Sequence, residues 1–498
     1  MGIVAGLDCS SAYSRLVVCD AETGQVLRQG HADHPAGETT PESWLLSLGE
    51  AAGGGLLEEV TAIGVAAQQG VVALDADNQP VRPALFEADQ PARTAALGLV
   101  EALGGRAAWA EAVGSVPEAG HPVTQLRRLA REEPEAARRA TTVLQPQDWL
   151  VWQLLGRPAR WTTDRGAASA TGYWSAVAET WRYELAELAL GHPAALPEVL
   201  GPAEAAGRTP EGLLISAGTG ETMAAALGLG LGPGDAVVSL GASGSVCAVH
   251  DEALTDPSGT ISCLADATGR HLPVVRTLNA TRVLRGTAEL LGRDLAGLSE
   301  LALASTPGAH GLVLLPYLAG ERTPELPHTA GTLAGLRRES MKPEHLARAA
   351  VEGMLCGLAD AAGVLRDRGV RIERVFLLGA AAALPAVQQL APGLFGATVV
   401  VPEPADYTAL GAARQAAWAQ GVAEGSLTPG QPPAWPSARG LTHEPSEEDL
   451  AVGTAVRKQF EAVREETHPH AFGKPAEAAT AGAPHTGTAP AAPPTAEG

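Results

Sequence analysis

GIVAGLDCSSAYSRLVVCDAETGQVLRQG, residues 2–30, has a plan that decides how the whole chain is read. The apolar run IVAGL makes a strand, DCSSAYS is a turn of mostly small residues, and RLVVCD returns as a second strand. A third strand follows the turn signal AETG. Far downstream, DAVVSLGASGSVCAVHDEAL at 235–254 repeats the plan, with AVVSL entering the small-residue turn GASGS and VCAVH leaving it. Turns of this kind at strand ends present backbone N–H groups to phosphate oxygens. Two of them predict a duplicated architecture with one phosphate-sized turn per lobe.

Before the second hairpin lies AGTGETMAAALGLG, 217–230, led by the strand-like run GLLIS. Small residues let backbone and ligand approach closely. Its one ionisable side chain, Glu221, reads either as a solvated loop acid or as a general base for an attacking hydroxyl. Asp8, at the end of the first strand, reads either as a turn-capping carboxylate or as a holder of a water on Mg²⁺, an ion that keeps several waters and one or two carboxylates.

Other segments read as helices and strands. TQLRRLAREEPEAARRA, from 124, carries its apolar residues on one face, and KPEHLARAAVEGMLCGLADAAGVLRDRG, 342–369, places Leu346, Ala350, Leu355 and Leu358 at near-helical spacing. The following RVFLLGAAAALPAVQQLAPGLFGATVVVPEPADYTALGAARQAAWAQG alternates strand and helix, the pattern of an α/β layer. The polar, turn-rich HDEALTDPSG predicts a domain boundary near 250–259. That divides the chain into an N-terminal lobe over 1–249, a second lobe over 258–440, a C-terminal helix over 441–466, and a disordered Ala/Pro/Thr-rich tail over 467–498.

Composition narrows the function. The 498 residues suit more than one domain, and 45% apolar content suits a large core. A net charge of −21 argues against nucleic acid and anionic membranes as partners; a small anionic ligand held by local groups stays open. The start carries no basic n-region or long apolar run, and no stretch of eighteen or more apolar residues occurs, so neither a signal peptide nor a membrane span is expected. The five cysteines are scattered and never form CxxC, which suits reduced thiols in a cytoplasm. GxxxxGK[ST] and HExxH are both absent. GASGS around Ser243 lacks the final glycine and the helix that a nucleophile elbow requires.

At this point the motifs resemble a known family. GTLAGLRRESMKPEHLARAAVE, 331–352, is similar to the C-terminal signature of the FGGY carbohydrate kinases. VGSVPEAG, DWLVWQLLGR, TTDRGAASATGYWS, TLNATRVL, LVLLPYLAGERTP and VEGMLCGLADA look like segments of the bacterial xylulokinases within it. The resemblance spans roughly residues 3 to 420. It implies an α/β, two-lobed, actin-like fold of ribonuclease H-like domains, with ATP and sugar in the central cleft. It also implies in-line transfer of the γ-phosphoryl group to a ketopentose such as D-xylulose, in which the protein mainly positions reactants and stabilises charge. The implied partners are a small sugar and ATP with Mg²⁺; a homodimer is compatible with the sequence.

Residue by residue, the resemblance places Asp8 near the metal through water, at the head of a hairpin that usually runs Asp-x-Gly-Thr to a basic end. Here Ser10 and Ser11 replace the Gly and Thr, and Arg15 keeps the basic end. Glu221 stands where the family's catalytic Asp is usual, in Gly220-Glu221-Thr222. The second hairpin, normally SLGTSG, is Gly241-Ala242-Ser243 preceded by SL. The sugar-binding run is Gln68-Gln69-Gly70, with Gln69 in place of a His, and the next stretch, FEAD, keeps only Asp89 of the usual Leu-Trp-Asn-Asp. Ala167 stands where an Asp is usual. The adenosine turn begins Gly379-Ala380, its second Gly lost. The departures collect where ligands sit, and two readings stand: a working sugar kinase with altered specificity, or a kinase-fold protein that binds sugar or nucleotide and regulates without turnover.

Overall fold

The computed structural model describes residues 2–35, 40–86 and 90–472. Strands β1 (Ile3–Cys9), β2 (Tyr13–Asp20) and β3 (Val26–Asp33) form an antiparallel meander. β4 (Val60–Ala67) lies parallel to the other side of β1, and Leu214–Ser216 lies parallel to β4. The second sheet repeats this order. Gly234–Leu240 pairs antiparallel with Gly244–Ala248, which pairs with His271–Thr277; Ile372–Leu378 and then Thr398–Pro402 add in parallel on the far side. The two small-residue turns thus occupy the same place in two like sheets, as the repeated hairpin plan predicts.

The central strands are buried nearly end to end, because a parallel centre must be covered on both faces. On β1 the period of two sorts the residues. Ala5, Leu7 and Cys9 join a core with Trp44 and Trp149 from the helices Pro41–Ala51 and Pro146–Leu154. Val4 faces the helix Tyr407–Ala423, packed with Ala409, Ala413 and Ala416. That helix follows the second sheet in the chain yet covers the first. The converse holds for the helix Glu221–Leu229, whose Met223, Ala226 and Leu227 pack with Val237, Phe376 and Val400 of the second sheet. The two helices lie against each other between the sheets. The other face of the second sheet is covered by Pro343–Arg366 and its neighbours, around Leu355, Leu358 and Val387.

Several boundaries differ from the sequence reading. The hairpin 234–248 pairs with Ile372–Leu378, so sheet membership puts the division before Gly234 and not at 250–259. The C-terminal helix runs Glu447–Thr467, not from 441; Gly440–His443 is an edge strand on Thr398–Pro402, and Ser446 caps the helix by accepting from Asp449 N. Pro469–Phe472 forms a further short helix, and the rest of the expected tail lies outside the described residues. The helix expected from 124 is two, Pro122–Glu132 and Pro134–Arg139, because Pro134 lacks the N–H and clashes with the preceding turn. All five cysteines are buried and unpaired. Among the described residues no helix is long and apolar enough to cross a membrane.

Candidate functional site

The period of two that turns Val4 and Gly6 toward the helix Tyr407–Ala423 also turns Asp8 that way, at the strand end where the helix begins. A Cβ on Gly6 would lie 1.9 Å from the Ala409 carbonyl oxygen, which fixes how closely strand and helix approach. The residue that starts the helix is Asp406, whose carboxylate caps it by accepting from Ala409 N at 2.8 Å. Glu221 occupies the first turn of the neighbouring helix Glu221–Leu229, capped by Gly220. Asp8, Glu221 and Asp406 therefore gather where two helix N-termini meet a strand end. Asp406 escaped the sequence reading, although an Asp directly before YTALGAARQAAW is a helix-start signal.

The electrostatics of this cluster are strained in one sense. Burial, then the charges of Asp406 and Glu221, push the Asp8 carboxyl up to about 8. Burial, then Asp406, push Glu221 up to about 7. One carboxylate oxygen of Asp8 is buried with no hydrogen-bond partner among the described residues. Acidic groups that resist ionisation together, one with an orphaned oxygen, suit a nearby cation. Among the described residues no group of three or more His, Cys, Asp or Glu is set to hold a metal ion directly.

The candidate residues of the first turn take different places. The Ser10 hydroxyl closes the turn, accepting from Ala12 N and Tyr13 N at 3.2 Å each, while Ser11 is exposed. Arg15 stacks on Tyr13 and donates to Asp406 at 3.3 Å. A guanidinium carries five N–H donors, so this pairing leaves capacity for a phosphate. In the second lobe, Gly241, Ala242 and Ser243 form an exposed turn whose first two carbonyls accept from Thr281 N and Ala280 N. Gly379 has φ 104° and its Cβ position lies 2.6 Å from Leu240 O, so only glycine fits there, directly beside that turn. Ala380, which stands where the family's second Gly is usual, opens a short 3₁₀ turn with its methyl exposed and its φ not positive.

Beside Glu221 a cavity of about 120 Å³ is lined by Gln68, Gln69, Gln145, Gln147 and, from the second lobe, Arg276. Ala167 also lines it. Gln68 donates to Ser10 O at 3.3 Å, and Gln69 donates to Ala170 O. Gly70 does not line the cavity; a Cβ there would meet the Phe86 ring at 2.4 Å, so its glycine serves packing. Asp89 lies outside the described residues. Behind the cavity Asp148 accepts from Gln145 N at 2.8 Å, and Gln147 donates to Thr163 at 3.0 Å. Asp164 accepts from Thr219 at 2.8 Å, which anchors the residues leading into Glu221. A larger cavity of 440 Å³, under the C-terminal helix, shares no lining residue with this one.

A raised carboxyl pKa makes the folded state bind its proton more tightly than the unfolded chain does. The stability that Glu221 contributes is therefore complete below its unfolded value and lost as pH rises through about 7. Glu221→Gln removes this cost. In ligand-free thermal or urea unfolding, variant and native protein should be nearly equally stable at about pH 5, and the variant ahead by about 1–3 kcal/mol at about pH 8.5. A difference that does not grow with pH would refute the burial assigned to Glu221.

The comparisons with known proteins agree with this geometry. Residues 3–230 match the model of the FGGY family of carbohydrate kinases, N-terminal domain, and residues 213–420 match that of the C-terminal domain. The chain is 40% identical to the xylulose kinase of Streptomyces coelicolor over 468 residues, covering 90% of this chain and 94% of that one. It is likewise 40% identical to the xylulose kinase of Streptomyces rubiginosus, over 90% of this chain and 93% of the relative. The crystal structure of the Bifidobacterium adolescentis xylulose kinase superposes with a TM-score of 0.85 at 35% identity, covering 93% of this chain and 99% of that one. Two like sheets with exchanged helices, both domain models matched in order, and relatives aligned over nine-tenths of their length make this chain a member of the FGGY family of carbohydrate kinases.

Proposed function

We propose that the protein transfers the γ-phosphoryl group of ATP to a terminal hydroxyl of a ketopentose-like sugar, with D-xylulose the first acceptor to test. The observation that carries this reading is Glu221: a carboxyl held near pH 7, at a helix N-terminus, opening into an amide-lined cavity beside Asp8. The acceptor hydroxyl gives its proton to Glu221 as its oxygen bonds the γ-phosphorus; the bond from that phosphorus to the β–γ bridging oxygen breaks and ADP leaves. A base whose pKa lies near the working pH balances availability against proton affinity.

The other residues take supporting roles. Gln68 and Gln69 orient the sugar, and first-lobe residues hold it generally. Arg15 and the 241–243 turn hold phosphate oxygens, and the Gly379–Ala380 turn lies under the nucleoside. Asp8 and Asp406 would hold the waters of Mg²⁺, which supplies charge neutralisation at the phosphates.

The test is ADP release with Mg-ATP and a panel of ketoses and polyols. Sugar-dependent release that disappears in Glu221→Ala supports the reading. Release from neither the native protein nor Glu221→Asp overturns it in favour of ligand binding without chemistry.

A further inference from the structure

The cavity beside Glu221 does not end the cleft. Gln69 and Arg276 also line a second cavity of about 270 Å³ between the lobes. Its walls bring Glu118 and His121 from the first lobe against Arg276 and Arg322 from the second, with Arg93 at the rim. Glu118 lies 3.2 Å from Arg322, 4.0 Å from Arg276 and 3.5 Å from His121. Burial opposes its ionisation, yet the charges of Arg276 and then Arg322 hold its carboxyl below the usual range. Burial drives His121 down to about 4, so it is neutral near pH 7. Among the described residues, the lining then carries three guanidiniums, of Arg93, Arg276 and Arg322, and one carboxylate, Glu118, which pairs with Arg276 and Arg322.

This arrangement is built into the frame. Thr323 donates to the Arg276 carbonyl at 2.9 Å, which pins the Arg322 segment beside the strand His271–Thr277. Glu321 accepts from Leu278 N at 2.6 Å and from Asn279 at 2.9 Å, which fixes the same loop from its other side. His121 is 6% exposed, and its Nδ1 is buried with no partner among the described residues. One carboxylate can take a single bidentate guanidinium well. Two share it here, at unequal distances.

We propose that this second cavity is a specificity subsite for a negatively charged end group of the acceptor, so that sugar acids are preferred over neutral sugars of the same length. The proposal rests on the kinase reading for its turnover. The terminal hydroxyl lies by Glu221, the chain of hydroxyls passes the glutamines, and the carboxylate meets Arg276 and Arg322. A site built to bond a charged group discriminates strongly against an analogue that lacks it, because its own donors are then left unpaired.

The test compares kcat/KM for D-xylonate and D-xylulose in the native protein, Arg322→Gln and Glu118→Gln. The expected native ratio favours the acid by about tenfold or more. Arg322→Gln should lower that ratio by about tenfold or more, and Glu118→Gln should raise it, since the competing carboxylate is gone. Opposite signs are the signature: a mere ionic latch between lobes would move both acceptors alike in both variants, and that result overturns the subsite. A native preference for D-xylulose also overturns it. Should no sugar turn over, the kinase reading fails by itself, and calorimetry decides the subsite: xylonate binding weakened by Arg322→Gln sustains it, and no xylonate binding ends it.

Discussion

Glu221→Ala should reduce sugar-dependent ADP release by about 10²–10⁴-fold, the range a positioned general base supplies, while nucleotide binding survives. The loss falls on kcat, because the group acts on a proton that moves only in the transition state. The pH profile provides a second reading. Only the ionised carboxylate accepts the proton, so native kcat/KM should rise as pH climbs through about 7 and level off above it. Asp406 is one cause of that elevated value. Asp406→Asn should therefore move the rising limb to lower pH, although it also frees Arg15 from its ion pair and will lower the plateau. Glu221→Asp draws the carboxylate back by about one C–C bond, and a misplacement of about 1 Å can cost on the order of 10²-fold. A variant as active as the native protein would mean that the site tolerates either reach. A profile flat from about pH 5 to 9 would remove Glu221 from the role.

Much of the site could be read from the chain, and what could not has an identifiable cause. Asp8 and Glu221 stand out because each is a lone carboxylate in a run of small residues, and both hairpins announce themselves by a turn between two apolar strands. Asp406 sits far away in sequence; its meeting with Asp8 depends on a helix from the second half of the chain lying across the first sheet. Local signals mark it as a cap but do not say what the cap faces. Glu118 and Arg276 are harder still. Each is an ordinary charged residue in its own segment, and only closure of the two lobes makes them partners. The placement of 234–248 in the N-terminal lobe failed for a related reason. A hairpin looks self-sufficient in sequence, whereas its lobe is decided by the parallel partner Ile372–Leu378. Ser10 shows what a one-dimensional reading leaves out: its hydroxyl also shapes the turn, accepting from Ala12 N and Tyr13 N.

The largest stability effect should come from residues with no side chain at all. Where the two exchanged helices and the first sheet converge, backbones nearly touch. An added Cβ at Gly411 would lie 1.8 Å from Ala224 O, at Gly228 2.0 Å from Tyr407 O, at Gly6 1.9 Å from Ala409 O, and at Gly64 2.0 Å from Ala412 O. Each clash is with a carbonyl of an ordered helix, not with a side chain that could swing away. None of the four has a positive φ, so conformational freedom is not what selects glycine here; separation is. Helix propensity alone would favour Gly411→Ala by about 1 kcal/mol. Overpacking costs typically 1–3 kcal/mol and occasionally more, and a methyl against backbone on a crowded three-way contact belongs at the upper end. The net expectation for Gly411→Ala is a loss of about 2 kcal/mol or more, read as a lower urea midpoint at unchanged slope. Because that contact also sets where Asp406 and Glu221 begin their helices, the surviving folded fraction should show lowered kcat as well. A control distinguishes crowding from any glycine effect: Gly363, in the helix Pro343–Arg366, has open space at its Cβ position, and Gly363→Ala should be neutral or stabilising by up to about 1 kcal/mol. If Gly411→Ala behaves like Gly363→Ala, the backbone packing that brings the three carboxylates together is wrong, and the site built on it is wrong with it.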